Sequence, residues 1–512
     1  KRDKQLTLCR DRFGEKPLYY GLLNGHLVFG SELKIFHLFP GGSLSINHSA
    51  LEEYIRLGYI PSPLSIYTDI FKLLPGSYIS FDATTMELSD PIIYWDAADI
   101  AISNNGDRDR EPNVSIKSLL SEKLSTAVSI RMLSDVPLGA FLSGGIDSSL
   151  IVSLMQQLSS SPVKTFSIGF DIPGYNEADE ASKVSNYLGT DHHELYLSSE
   201  DVVSAIPDLP SAWDEPFADS SQVPTLLLSR FAREFVTVSL SGDGGDEVFG
   251  GYNRYVKGYN AYRKFSYFPR SLRKFVSKIT SFASELASDN FLEKMPSRFR
   301  YRGLGNRLNK LSNVIASVDD IDYYTKLLAL GFENPSDVLL SSSDLQFCLR
   351  GQSKIQQASD FRESMMILDA LNYLPGDILT KVDRASMYSG LEVRVPFLDH
   401  TLYEWAWTLP LEYKISNGVS KKCIRDVLND FVPQSLTNRP KQGFGLPIDH
   451  WLGGPLLSWA SDLLSFDRLS KQGVFNPVVV QNMWNAQKSG NARYHHKLWS
   501  ILMYQAWIDV WG

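Results

Sequence analysis

Only three of the 512 residues are cysteine (Cys9, Cys348 and Cys423), and they lie far apart. Such spacing makes neither a disulfide framework nor a metal-binding pattern. It fits a reducing compartment, so a cytoplasmic location is expected. Long apolar runs are also missing: nothing approaches the roughly 18–20 uninterrupted apolar residues of a membrane span, and no membrane partner is expected. Positive charge is in deficit. With 50 Lys and Arg against 58 Asp and Glu the net charge is −8, which argues against a dedicated nucleic-acid binder. The chain opens Lys-Arg-Asp, with neither an initiator methionine nor the basic-then-apolar build of a signal peptide, and reads as a fragment whose true start lies upstream.

What is present is a globular composition, 43% apolar and 21% charged, over a length that allows two or three domains. Residues 1 to about 95 read as β-rich: LTLCR, PLYYGLL, HLVFGS and SYISFD are separated by turn signals at Asn24-Gly25 and Pro75-Gly76. The polar stretch Ser103–Asn113 reads as a linker. From about residue 114 helices alternate with buried strands. IKSLLSEKLSTAVSIRM has helical spacing, and GAFLS, VKTFSIGF and FVTVSL each lead into a Gly- or Asp-rich turn and then a helix. That alternation predicts a parallel sheet covered by helices, with ligands at the C-terminal ends of its strands. From about 255 the pattern is mainly helical. Residues 254–310 hold 14 Lys or Arg against three acids, Glu285, Asp289 and Glu293, with aromatics between them. Solvated faces of amphipathic helices account for this better than an RNA-contacting surface.

The sharpest signal is FLSGGIDSSLIVSLM, Phe141–Met155. It predicts a buried strand, a tight turn and a helix over Ser148–Leu158 with Leu150, Ile151, Leu154, Met155 and Leu158 toward the sheet. Gly144 and Gly145 let backbone N–H groups approach a ligand, and Ser148 and Ser149 add hydroxyls at a helix N-terminus, where an anion is favoured. The loop is built for phosphate, yet it lacks the lysine of a GxxxxGK[ST] loop, which suits γ-phosphoryl transfer. It carries Asp147 instead. An acid beside a polyphosphate makes sense if Mg²⁺ bridges them, and gripping the β- and γ-phosphates together suits attack at the α-phosphate with pyrophosphate leaving.

SGGIDSS resembles the pyrophosphate loop of the PP-loop ATP pyrophosphatases. Five further stretches are similar to glutamine-hydrolysing asparagine synthetases: RDRFGEKPLYYG (Arg10–Gly21), GYNEADEASKVSNYLG (Gly174–Gly189), VSLSGDGGDEVFGGY (Val238–Tyr252), LTKVDRASMYSGLEVRVPFLD (Leu379–Asp399) and RPKQGFGLPIDHWL (Arg439–Leu452). The resemblance implies an α/β fold in two parts. Residues 1–100 would be the back part of an Ntn-type α/β/β/α glutaminase, and residues 114–512 a PP-loop parallel-sheet domain with a helical C-terminal half. It implies ATP and Mg²⁺, with Asp147 and Asp246 on the metal. Leu142, Ile168 and Gly390 would face adenine, and Ser143, Gly242 and Asp243 would line the nucleotide. Lys381, Asp383 and Arg384 would lie near the phosphates, and Lys497 over the α-phosphate with Lys441 close by. Glu392, oriented by Arg394, would serve acyl-adenylate formation and receive the attacking nucleophile's proton.

Other groups stay open. Asp377, Lys381 and Arg384 fall at i, i+4, i+7 and share one helix face if that helix is regular. Asp214, Glu215 and Asp219 could serve Mg²⁺ or shape an acceptor pocket. His192-His193 reads as a polar cap and not a metal pair. The family's glutaminase nucleophile is a terminal cysteine; Cys9 is internal, so this chain is expected not to hydrolyse glutamine while the full-length protein does. The reaction expected is ATP-dependent amidation of aspartate to asparagine through β-aspartyl-AMP, with glutamine supplying ammonia and a homodimer as the assembly allowed for. Rivals are the same chemistry on a sugar uronic acid or a lactam-forming β-amino acid, an RNA-modifying PP-loop enzyme, and a silent interaction protein. Asp147, Asp246 and Glu392 speak against the last.

Overall fold

The computed structural model describes residues 4–40, 44–103, 115–170, 177–286, 304–341, 349–438, 448–490 and 494–512; residues 104–113 of the expected linker, Cys348 and Lys441 lie outside these ranges. The first part is β-rich as its turn signals predict. Strands β1 (Gln5–Cys9), β5 (Ser77–Asp82), β6 (Glu87–Leu88) and β7 (Ile92–Ile93) form one antiparallel sheet, and β2 (Tyr19–Leu23), β3 (His26–Gly30) and β4 (Ile70–Lys72) another. Leu8 and Ile79 of the first sheet share a small core with Tyr20 of the second. Helix α1 (His48–Leu57) is capped by the Asn47 side chain at its start and stopped by Gly58, whose φ of 85° favours glycine. It turns Leu51, Tyr54 and Ile55 into the core, where the Tyr54 hydroxyl donates to the Ser500 carbonyl at 2.6 Å.

Strands β8 (Leu138–Phe141), β9 (Lys164–Phe170), β10 (Asp191–Leu197), β11 (Val238–Leu240) and β12 (Glu392–Arg394) build a wholly parallel sheet in the order β10-β9-β8-β11-β12. Three of these strands are the ones the sequence announces; β10 and β12 are additions. The helices that matter here are α2 (Ile116–Arg131), α3 (Ile146–Leu158), α4 (Ala178–Leu188), α5 (Gln222–Arg233), α6 (Gly245–Phe249), α7 (Arg270–Leu286), α8 (Leu304–Ile315), α9 (Leu379–Tyr388), α10 (Lys422–Leu428) and α11 (His495–Trp511). One core joins Phe166, Ile168 and Phe170 of β9 to α1 and to Trp499 and Trp507 of α11. The other joins Ala140, Leu142 and Leu240 to Leu150, Ile151, Leu154 and Met155 of α3. Leu158 does not join them. It is 46% exposed, at the last turn of α3.

Strand β10 replaces the expected histidine cap. His192 bonds the Thr165 and Ser167 hydroxyls at 2.8 and 3.2 Å, and His193 lies 4.2 Å from the Phe235 ring centre. The acids Asp214 and Glu215 lie outside the lining of the large cavity at the strand ends and against the N-terminal part. Glu215 pairs with Lys72 at 2.5 Å and accepts from the Ile66 N–H, while Asp214 Oδ2 accepts from the Lys34 N–H at 3.1 Å.

Burial pushes the Asp214 carboxyl up to about 7, with the Arg384 guanidinium pulling the other way. The folded chain therefore keeps a proton that the unfolded chain releases near pH 4. Stability contributed by the neutral form is lost as pH rises from about 4 to about 7. Asp214→Asn retains an acceptor for Lys34 and tolerates the positive φ of 47°. Its advantage over the parent is expected to be small near pH 4 and to grow to roughly 2–4 kcal/mol by pH 8. Urea unfolding at the two pH values measures this; an unchanged difference would refute the linkage.

Candidate active site

At the C-terminal ends of β8, β9 and β11 the structure opens a cavity of about 720 Å³. Two loops meet there. The first leaves β8 and enters α3, which begins at Ile146, two residues earlier than expected, so that Asp147 sits in the first helical turn. The Ser143 N–H donates to Ser148 Oγ at 3.2 Å, and the Gly145 N–H donates to Ser143 Oγ at 3.3 Å. Gly144 has φ +67°, and a Cβ there would stand 2.7 Å from the Glu180 carbonyl carbon and 2.8 Å from the Ala181 nitrogen. Gly145 has φ −76° and would meet only Ser143 Oγ, at 3.2 Å. Gly144→Ala is therefore expected to cost about 2 kcal/mol and Gly145→Ala less than half as much. Thermal unfolding of the two variants decides it, and equal losses would refute the asymmetry.

The second loop runs from β11 into α6 as Ser241-Gly242-Asp243-Gly244-Gly245-Asp246-Glu247. A Cβ on Gly242 would reach 2.8 Å from the Ser148 nitrogen, and one on Gly245 would reach 2.6 Å from Asp147 Oδ1. Glycines thus let the two loops touch backbone to backbone, which brings Asp147 and Asp246 to one place. Between them lies Lys421, just before α10. Its ammonium pairs with Asp147 Oδ2 and, at 2.5 Å, with Asp246 Oδ1. Burial works to lower the Lys421 pKa, but the two carboxylates outweigh it and hold the ammonium above its ordinary range.

Asp243 lines the cavity and accepts from Ser241 Oγ at 2.8 Å; burial pushes its carboxyl up, against the pull of that bond and of Lys381. Burial, aided by the charge of Asp246, carries Glu247 to about 7, where it accepts from the Tyr252 hydroxyl at 2.7 Å. Across the cavity Lys381 meets Asp219 at 2.7 Å. Burial would raise Asp219, but the Lys381 ammonium and the Ser221 bonds hold it below its ordinary value. Asp377 is raised well above its own, first by burial and then by the charge of Asp219.

Of the residues singled out from sequence, Leu142, Ser143, Gly145, Asp147, Ser148, Ile168, Asp219, Gly242, Asp243, Asp246 and Lys381 line this cavity. Gly144, Ser149, Arg384, Gly390, Glu392 and Lys497 do not. Gly144 shapes the turn from behind. Ser149 is wholly buried, and its N–H is spent on the Gly145 carbonyl. Arg384 turns to Asp383 and Glu32 and not to the cavity, whereas Asp377 and Lys381, four residues apart, both meet Asp219. Glu392 is the residue the structure sets farthest from the expectation, outside the cavity lining. It opens β12 opposite Val238, which pairs with Leu138, so it stands at the N-terminal edge of the sheet. Arg394 does hold it, at 2.7 Å, but also donates to the Arg131 and Leu133 carbonyls at that same edge. Gly390, two residues earlier, lies before the start of the same strand, outside the cavity lining. Lys497 lies over the Phe332 ring at 4.7 Å, outside the cavity lining.

Sequence reasoning misses Lys421, along with Lys257, Asn253 and Arg425 on the cavity wall. None follows a strand of the parallel sheet (Lys421 follows Val419–Ser420 of a separate two-stranded hairpin), so the strand–loop–helix rule does not reach them. Among the described residues no three His, Cys, Asp or Glu gather as a metal cluster. Asp147 and Asp246 still suit Mg²⁺, which takes one or two protein carboxylates and completes its shell with phosphate oxygens and water.

Comparisons with known proteins identify the family. The asparagine synthase family matches residues 119–509, and the glutamine amidotransferase domain matches residues 1–95. Asparagine synthetase [glutamine-hydrolyzing] 1 of Bacillus subtilis is 30% identical over 100% of this chain and 76% of its own length. A putative asparagine synthetase [glutamine-hydrolyzing] 2 of Methanocaldococcus jannaschii is 36% identical over 77% of this chain and 72% of its own. Amidase chry2 of Gibberella zeae is 24% identical over 94% and 73%. With its parallel sheet, its lysine-free phosphate loop and a family match spanning most of its length, the chain belongs to the asparagine synthase family.

Proposed function

We propose that this chain uses ATP to activate a carboxylate, releasing pyrophosphate, and that ammonia then displaces AMP to give an amide, with aspartate as the acceptor and β-aspartyl-AMP as the intermediate. The observation that carries this reading is the meeting of Asp147, Asp246, Asp243, Lys421 and Lys381 around one cavity at the strand ends. Leu142 and Ile168 give the base an apolar wall. The Ser143–Ser148 turn offers N–H and hydroxyl groups to the leaving pyrophosphate. Asp147 and Asp246 would hold Mg²⁺, whose contribution is to neutralise phosphate charge. Lys421 and Lys381 stay protonated across the physiological range and supply fixed positive charge where negative charge develops. Asp243 accepts a proton from the attacking ammonia, in place of Glu392.

In the full-length protein the ammonia comes from glutamine, in keeping with the amidotransferase match over residues 1–95. A second acceptor class is favoured by one observation: relatives carry the name amidase as well as asparagine synthetase. The test is pyrophosphate release with ATP, Mg²⁺ and ammonium over a panel of carboxylates. Aspartate-dependent release with asparagine formed supports the full proposal. Release with a uronate or β-amino acid alone keeps the chemistry and replaces the acceptor. Absence of release from a folded chain that binds ATP rejects it.

A further inference from the structure

Helix α7 is built inside out. Its large apolar residues, with the two that precede it, face solvent: Tyr267 is 81% exposed, Phe268 50%, Leu272 43%, Phe275 61%, Ile279 52% and Phe282 63%. From Phe268 the spacing is four, three, four, three, so these side chains form one stripe along a helix about 25 Å long. The opposite face is half-covered and mostly small or polar: Ser284 is buried and Arg273, Val276, Ser277, Thr280, Ser281 and Ala283 are half-buried, and α7 packs along α8, with Arg273 donating to the Ser317 carbonyl at 3.0 Å. An ordinary surface helix has the opposite arrangement.

Charge indicates what the stripe meets. Arg263, Lys264, Arg270, Lys274 and Lys278 are exposed beside it, and between residues 254 and 278 there is no acid. Lys274 and Lys278 fall on the flank of the stripe, one turn apart. Within α7 the one acid is Glu285, in its last turn, against four cations, Arg270, Arg273, Lys274 and Lys278; Asp319 and Asp320 lie at the base of the hairpin, where the Tyr262 hydroxyl bonds Asp320. A second copy of this face would set lysine against lysine. Nucleic acid would use the cations but leave Leu272 and Ile279, which cannot stack on bases, in water. We propose that α7 is a docking surface for an anionic lipid bilayer, lying in the interface plane with Phe268, Leu272, Phe275, Ile279 and Phe282 among the acyl chains and Arg270, Lys274 and Lys278 at the headgroups. It is a surface contact: no described helix is long and apolar enough to cross a membrane. The cavity lies on other elements, so the enzyme's chemistry is left untouched.

The test is flotation of the whole chain with vesicles of equal parts phosphatidylcholine and phosphatidylglycerol, and with vesicles of phosphatidylcholine alone. Binding is expected to the anionic vesicles only and to weaken with salt. The double variant F275E/F282E, which changes only exposed positions, is expected to lose it altogether. K274E/K278E is expected to weaken it by at least about fivefold for each cation removed, near 1 kcal/mol apiece. Both variants should keep parental unfolding midpoints and ATP binding. Three outcomes overturn the proposal: no flotation of the folded parent, equal flotation of F275E/F282E, or a salt-sensitive RNA complex or dimer that forms without lipid and disappears in the same variants.

Discussion

Replacement of Lys421 by methionine should reduce ATP-dependent pyrophosphate release on the order of 10³-fold, the scale on which preorganised charge acts in a water-poor site. The side chain is 5% exposed and is the shared counter-charge of Asp147 and Asp246. It is also held with φ at 55°, a backbone state that a lysine adopts only where its surroundings impose it. Methionine fills nearly the same volume without the charge, leaving two carboxylates crowded together. The loss in stability is expected to be about 3 kcal/mol, at the lower end for a broken buried pair because both acids keep 19% of their surface. Mg²⁺ provides a readout separate from activity. If Asp147 and Asp246 take the metal, adding it should raise the urea midpoint of Lys421→Met more than that of the parent. A variant that keeps a tenth of parental release would reduce Lys421 to a structural counter-ion.

Much of this was legible in the sequence, and the reason is local. The turn after β8 needs glycine at Gly144 because its neighbours are backbone atoms, and the loop after β11 needs Gly242 and Gly245 because Asp147 presses against them. Such requirements leave a dense pattern in a few consecutive residues. The helical faces of α3 follow from periodicity alone. Lys421 left no comparable mark, since it reaches the cavity from a short two-stranded turn far along the chain, where nothing local distinguishes it from Lys422 beside it. The run from Asp377 to Arg384 was legible in part: Asp377 and Lys381 come together at Asp219, while Arg384, on the same helix as Lys381, is held by Asp383 and Glu32, partners that spacing alone does not reveal. Glu392 could not be placed because a three-residue strand does not reveal from sequence which end of it faces the ligand.

That last point decides where the proton goes. Glu392 and the cavity lie at opposite ends of β11, about 10 Å of strand apart. Its side chain is 47% exposed and engaged with Arg394. Glu392→Gln should therefore leave amide formation within about twofold and stability within about 0.5 kcal/mol, as for other surface changes. Asp243 has the features the task needs: a place on the cavity wall, a bond from Ser241 that fixes one oxygen, and burial that lifts its affinity for a proton. Asp243→Asn keeps the shape and the acceptor for Ser241 but cannot take a proton. It is expected to lower amide formation by roughly 10²–10³-fold while ATP binding, measured by calorimetry, is retained. In the parent, activity should fall with acidification as the Asp243 carboxylate becomes protonated, at a pH above the usual carboxylate range because the folded value is raised. In Asp243→Asn that acid limb should vanish. Were Glu392→Gln instead the crippled variant, with Asp243→Asn turning over normally, the acceptor would have to reach the N-terminal edge of the sheet, and a cavity at the strand ends could not be where the amide forms.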